Sequence, residues 1–148
     1  MHRTLGSAVL ALLLAGALLA AEPEPTPLNI ELSVESPRVV QAGQDFEIHA
    51  RVRNTAPETQ KLIDLAFPQE YLKGVTIQAS QPGFSESAAH PEQQLLRYTF
   101  NLPIEPGAEL ELLLHAYAVA PGDYSGELHF SINSETSTLS YPIRTIVK

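Results

Sequence analysis

The sequence contains no cysteine. That absence excludes a disulfide scaffold, a thiol nucleophile and a cysteine metal site. It also excludes a lipobox, so acylation at an export cleavage site is ruled out. The one methionine is Met1, which leaves no thioether for soft copper(I) ligation. Basic residues are scarce: nine Lys and Arg stand against 17 Asp and Glu, for a formal charge of −8. Nucleic acid and anionic lipid reward Lys and Arg, so neither is expected as a partner. Catalytic signatures are missing as well. No H-E-x-x-H, EF-hand loop or phosphate cradle occurs. In Gly122-Asp-Tyr-Ser125-Gly126 the serine falls one place late for a nucleophile elbow, and Gly83-Phe-Ser85-Glu-Ser87 lacks the closing glycine.

What is present begins with an export address. His2 and Arg3 form a short basic start, Leu5 to Ala20 carries no charge, and Ala20 and Ala21 are small residues suited to a signal peptidase. The run is short for a spanning helix, which needs about 20 apolar residues. Residues 1–21 are therefore read as a signal peptide, and any membrane attachment would be through that signal left uncut. Glu22-Pro-Glu-Pro-Thr-Pro27 is a proline-rich spacer, held extended by alternate prolines. Residues 28–148 are the size of one domain.

From Leu28 onward the hydrophobic period is two. Leu28, Ile30, Leu32 and Val34 alternate with polar neighbours, as do Phe46 to Val52, Leu96 to Leu102 and Tyr124 to Ile132. Each set predicts a strand with one face in a core and the other in water. Leu110 to Val119 is apolar on both faces toward its end, which predicts a central strand. Leu62–Phe67 and Val75–Ala79 read as shorter strands. Leu139 to Val147 reads as a last one, with Pro142 in the outward phase that suits an edge. Turn signals at Ala42-Gly43-Gln44, Glu105-Pro106-Gly107 and Pro121-Gly122-Asp123 separate them. The expectation is an all-β, antiparallel, immunoglobulin-like β-sandwich of seven to nine strands.

The layout resembles bacterial extracytoplasmic immunoglobulin-like domains of the cell-adhesion-related (CARDB-like) type. The residues that carry the resemblance are Val39-Val-Gln-Ala-Gly-Gln44, Ile48-His-Ala-Arg-Val-Arg-Asn-Thr55, Ile104-Glu-Pro-Gly107 and Pro121-Gly-Asp-Tyr-Ser-Gly126. It spans about Leu28 to Lys148 and implies a domain that binds, spaces or braces, with no catalytic residues and no cofactor. Within it Tyr124, just past Gly122, would be the tyrosine of a tyrosine corner. The departure is Ser80 to Gln93, a polar stretch read as a long loop. Phe84, Ser85 and His90 in it are the candidate partner contacts, although a lone loop aromatic also serves to cap a sandwich end.

Three histidines, His49, His115 and His129, fall on different predicted strands. Convergence of two or more would make a metal site, since imidazole is a common zinc and copper ligand. Carboxylates at Asp64, Glu70, Glu105, Glu109, Glu111 and Glu127 leave a small hydrolase as a third reading. The leading expectation is a non-catalytic, periplasmic or secreted module that binds an envelope protein or surface component. It would do so through its end loops, or by strand addition near Leu28–Glu35 or Leu139–Val147. The alternative is a periplasmic metal-handling protein.

Overall fold

The computed structural model describes residues 28–148. The signal peptide and proline-rich spacer read from the sequence lie outside the described residues. Ten strands form in chain order: β1 (Ile30–Glu35), β2 (Val39–Val40), β3 (Asp45–Asn54), β4 (Gln60–Pro68), β5 (Val75–Gln81), β6 (Glu86–His90), β7 (Leu95–Ile104), β8 (Glu109–Ala118), β9 (Gly122–Ile132) and β10 (Thr138–Val147). One helical turn, α1 (Gln69–Leu72), follows β4, and a 3-10 turn, Pro91–Gln93, follows β6.

Two sheets face each other. One has the order β1-β3-β8-β5 and the other β2-β10-β9-β4-β7-β6. The class is the expected immunoglobulin-like sandwich, and the strand number is above the expected seven to nine. One extra is β2, whose two residues pair in parallel with Ile146 and Val147 of β10. Another is β6, inside the stretch from Ser80 to Gln93 that reads as a loop. It pairs with β7 from Glu86↔Thr99 to His90↔Leu95. Its first four side chains are exposed whichever way they point, so no alternation of apolar residues could betray it.

The period of two is the reason for the rest. In β3 Phe46, Ile48, Ala50 and Val52 are buried and the residues between them face water. In β9 Leu128, Phe130 and Ile132 fill the facing layer. Doubly apolar β8 is central, between β3 and β5, as its composition requires. In β10 Pro142 is exposed while Ile143, Thr145 and Val147 point inward.

Polar groups are built into this apolar volume, Tyr71 and Asn54 among them. The Tyr71 ring of α1 is fully buried, and its hydroxyl lies 2.8 Å from Thr145 Oγ1. The Asn54 amide, also fully buried, uses its whole hydrogen-bonding capacity. Its Nδ2 donates to the carbonyls of Glu58 and Ile104, at 2.8 Å each. Its Oδ1 accepts from the Ala56 N–H and from Gln60 Nε2, at 2.9 Å each.

Burial pushes the Tyr71 phenol up to about 12 from its ordinary value near 10, while the Thr145 hydrogen bond works weakly against that shift. The folded state therefore keeps this proton where the unfolded chain loses it. The stabilisation, roughly 2–3 kcal/mol, is complete below pH 10 and disappears as pH rises from about 10 to 12. In urea melts across that window, Tyr71→Phe should flatten the decline, leaving the smaller contribution of Tyr98, which burial also raises. Asn54→Ala should cost about 3 kcal/mol or more, because it orphans several buried partners at once. The neighbouring Thr55→Ala, which removes an exposed bond to the Asn29 carbonyl, should cost under about 1 kcal/mol on the same assay.

Candidate functional site

The water-facing side of the four-stranded sheet carries the densest group of chemically useful side chains. Antiparallel register lines them up. β1 sets Glu35 opposite His49 and Glu31 opposite Arg53. β8 sets His115 opposite Glu47 and Glu111 opposite Arg51. Directly paired residues share a face, so these outward side chains form rows across the sheet.

The rows divide into two halves. Toward the C-terminal end of β3 the charges are paired. Arg51 Nη1 lies 2.9 Å from Glu35 Oε1 and its Nε 3.5 Å from Glu111 Oε1, while Arg53 Nε is 4.0 Å from Glu31 Oε1. The adjoining Glu35 carboxylate holds the Arg51 guanidinium above its ordinary range, with Glu111 adding to the effect. Toward the start of β3 the pattern changes. Glu47 stands between two imidazoles, its Oε1 3.7 Å from His49 Nε2 and its Oε2 3.8 Å from His115 Nδ1. These three side chains border an open depression of about 940 Å³, whose walls include Glu35, Asp45 and Gln78 and contain no lysine or arginine.

Two of the three candidate histidines are thus neighbours. His129 is not with them. It lies on β9 in the other sheet, where its Nδ1 is 3.2 Å from Ser140 Oγ. Among the described residues, no group of three or more His, Asp or Glu side chains is placed so that it could hold a metal ion. Glu47 is the member that sequence reading missed. Its signal was the spacing Glu47-x-His49, which puts a carboxylate beside an imidazole on one face of a strand. The register that brings His115 opposite was not readable.

The expected partner contacts fall at the far side of the six-stranded sheet. Phe84 is turned onto the core, its ring 4.9 Å from Tyr98 and 6.4 Å from Phe100 in edge-on contacts. This is the capping geometry. Ser85 is tied by its N–H to the Thr99 carbonyl at 2.8 Å, with its Oγ 3.2 Å from the same oxygen. His90 ends β6.

Tyr124 folds its hydroxyl back over the preceding turn, 2.9 Å from the Ala120 carbonyl and 3.0 Å from that of Pro121. Gly74 and Gly122 leave room for its ring. A Cβ at Gly122 would sit 2.7 Å from the ring, and one at Gly74 would be driven into it.

The carboxylates of the hydrolase reading do not converge. Asp64 is buried in the six-stranded sheet and bonded to Arg97 at 3.1 Å, with Arg97 also held by Gln93 Oε1. Glu70 pairs with Lys73 at 3.0 Å, and Glu111 belongs to the arginine half of the other sheet.

No family model and no curated protein matches the sequence. Solved structures do match. The chain is similar to the PapD-like domain 7 of human CEP192, with a TM-score of 0.50 and 10% identity over 86% of this chain and 92% of that one. It is also similar to the CARDB domain of a Pyrococcus furiosus protein, solved in complex with di-metal ions (TM-score 0.49, 11% identity, 86% of this chain and 98% of that one). A Pseudomonas fluorescens alkylpurine DNA glycosylase bound to abasic-site DNA matches with a TM-score of 0.48 and 15% identity. This chain spans only 30% of that enzyme's length. The likeness is one of fold, CARDB-like and immunoglobulin-like.

Tyr124→Phe removes the hydroxyl bridge and should lower stability by about 1 kcal/mol. Gly74→Ala should cost more, above roughly 2 kcal/mol, because a backbone-fixed methyl displaces the Tyr124 ring. Thermal melts of the two variants test both the sizes and their order.

Proposed function

We propose that this chain is an exported, non-catalytic binding module of the cell envelope that takes an extended segment of a partner protein onto β1. The observation that carries this reading is the state of the β1 edge. Ile30–Glu35 is hydrogen-bonded to β3 on one side only. Its inward residues Ile30, Leu32 and Val34 pack against the core but remain partly uncovered. An added strand would supply backbone partners along this edge and finish the burial of that apolar row.

The other edges are poorer hosts. β10 is already covered at Ile146 and Val147 by β2, and Pro142 lacks a donor. β5 has a bulge between Ile77 and Ala79. β6 is five residues long with four exposed side chains, so a strand added there would gain little burial. The partner segment would carry apolar residues at alternate positions. Lys or Arg on its flanks would suit the acidic balance of this chain, −8 over the whole sequence. The fold likeness to immunoglobulin-like domains supports a binding role, and the residues at 1–21 support export.

Three measurements test the proposal. The product recovered from the periplasm or medium should begin just after Ala21. A photo-crosslinker placed at Ser33 in the full chain should capture a discrete partner in intact cells, and one at Ala88 on the β6 edge should not. Amide exchange of the chain with that partner should then slow across 30–35. Crosslinking from Ala88 alone, or unchanged exchange at 30–35 in the complex, would overturn strand addition at β1.

A further inference from the structure

Granted strand addition at β1, on which this rests, we infer that the received segment carries a lysine or arginine beside Glu31 and another beside Glu35. The backbone groups that β1 leaves free can be assigned. In an antiparallel pair, directly opposed residues alternate between those that exchange hydrogen bonds and those that do not. The Thr55 N–H donates to the Asn29 carbonyl at 2.9 Å, and these two residues continue the register of Ile30↔Asn54. Glu31, Ser33 and Glu35 therefore bond to β3, while Ile30, Leu32 and Val34 turn their N–H and C=O groups to the open edge. The other side of β3 agrees, since its even-numbered positions bond toward β8. The Asn54 N–H donates to the Ala108 carbonyl and the Ala118 N–H to the Gln44 carbonyl, at 2.9 Å each. The free run begins at Ile30, because the Leu28 carbonyl is already taken by Gln60 Nε2 at 2.7 Å.

The same alternation fixes what an added strand meets. Its residues opposite Ile30, Leu32 and Val34 share their inward face. β10 of the other sheet lies close by, and its inward Leu139 and Tyr141 also pack on the core while partly uncovered. Apolar side chains belong at these positions. The residues opposite Glu31, Ser33 and Glu35 fall on the outer face, at the ends of rows that cross the sheet. One row runs Glu109, Arg53, Glu31 and the next Glu111, Arg51, Ser33. Signs alternate along the first, so the position beyond Glu31 calls for a cation. Glu35 has Arg51 at 2.9 Å, but that guanidinium is shared with Glu111 at 3.5 Å. Two arginines thus stand among four glutamates here, and the side chains of Glu31 and Glu35 are 68% and 69% exposed at the edge.

A second copy of this chain is the wrong occupant. Its β1 would bring only Glu31, Ser33 and Glu35 to the outer row, adding carboxylates to carboxylates and no cation. The pattern required is cation, apolar, variable, apolar, cation, and it reads the same in either strand direction.

The test uses the purified full chain with two synthetic peptides, Val-Lys-Val-Thr-Val-Lys-Val and the same peptide with glutamate in place of lysine. In the free chain the amides of Ile30, Leu32 and Val34 should exchange rapidly and those of Glu31, Ser33 and Glu35 slowly. The lysine peptide should slow exchange at Ile30, Leu32 and Val34. It should bind about fivefold or more tighter than the glutamate peptide, an advantage that shrinks as salt is added. The double variant Glu31→Lys/Glu35→Lys should reverse the preference, and Glu127→Lys, on β9 of the other sheet, should leave it unchanged. Equal affinity for the two peptides, with exchange slowed at β1, would overturn the charge pattern and leave strand addition standing. No slowing of exchange at Ile30, Leu32 and Val34 by either peptide would overturn both. Protection of these amides that grows with chain concentration alone would assign the edge to a second copy and overturn the basic segment.

Discussion

One buried amide holds the pole of the sandwich where the β3–β4, β7–β8 and β9–β10 turns meet. Asn54 sits at the end of β3 with no exposure to water, in a place where an unpaired amide would be costly. Each of its hydrogen-bonding positions is filled, and the partners come from different parts of the chain: the loop after β3, the end of β7 and the start of β4. Gln60 extends the network. Its Nε2 reaches the Leu28 carbonyl at 2.7 Å, and its Oε1 accepts from Asn133 Nδ2 at 3.1 Å. Asn133 in turn accepts the Lys61 N–H at 2.9 Å. The entry to β1, the β3–β4 turn, the β7–β8 turn and the β9–β10 turn are thus joined through amide groups that have one fully paired arrangement. In a chain without disulfides, this network is what specifies how the two sheets meet at that end.

The opposite pole is fixed by aromatic rings. Tyr71, placed by the single turn α1, crosses the core to Thr145 of β10, while Tyr124 packs over Gly74 and bonds back across the turn before β9. The two tyrosines serve the same end differently. Tyr71 has no exposure, so its hydroxyl depends on one side-chain partner. Tyr124 is half-buried and uses main-chain carbonyls at the rim. Neither pole uses the outward rows of β3 and β8 or the unpaired edge of β1.

The sandwich was legible because its core obeys a period of two over long strands, and because β8 departs from that rule in the direction a central strand must. The β1 edge was legible for a related reason, since a first strand with a single apolar face suits the flank of a sheet. Asn54 was visible only as part of the run Ile48 to Thr55 that carries the resemblance. Its role depends on carbonyls as distant in sequence as Ile104, and no local pattern encodes that. β6 was illegible because Ser87, Ala88 and Ala89 have no buried face, and its existence rests entirely on pairing with β7. The histidines divide on the same principle. His129 falls on a cleanly alternating strand and His115 on one that is apolar on both faces, and only the assignment of strands to sheets shows which of them shares a sheet with His49.

That division bears on how the outer face of the four-stranded sheet differs along its length. In the arginine half, each guanidinium has a carboxylate within 4.0 Å, an arrangement that satisfies the charges at little net gain in stability. In the histidine half, Glu47 is flanked by groups that carry charge only when protonated. A face selected only for solubility has no need of this separation, because mixed signs serve solubility equally well anywhere on it. Yet all the basic residues of these rows fall on one side and the imidazoles on the other. The depression lies on the imidazole side, bounded by β5 and by the chain leaving β1. Acid and imidazole thus coincide beside one open depression on an otherwise ion-paired sheet.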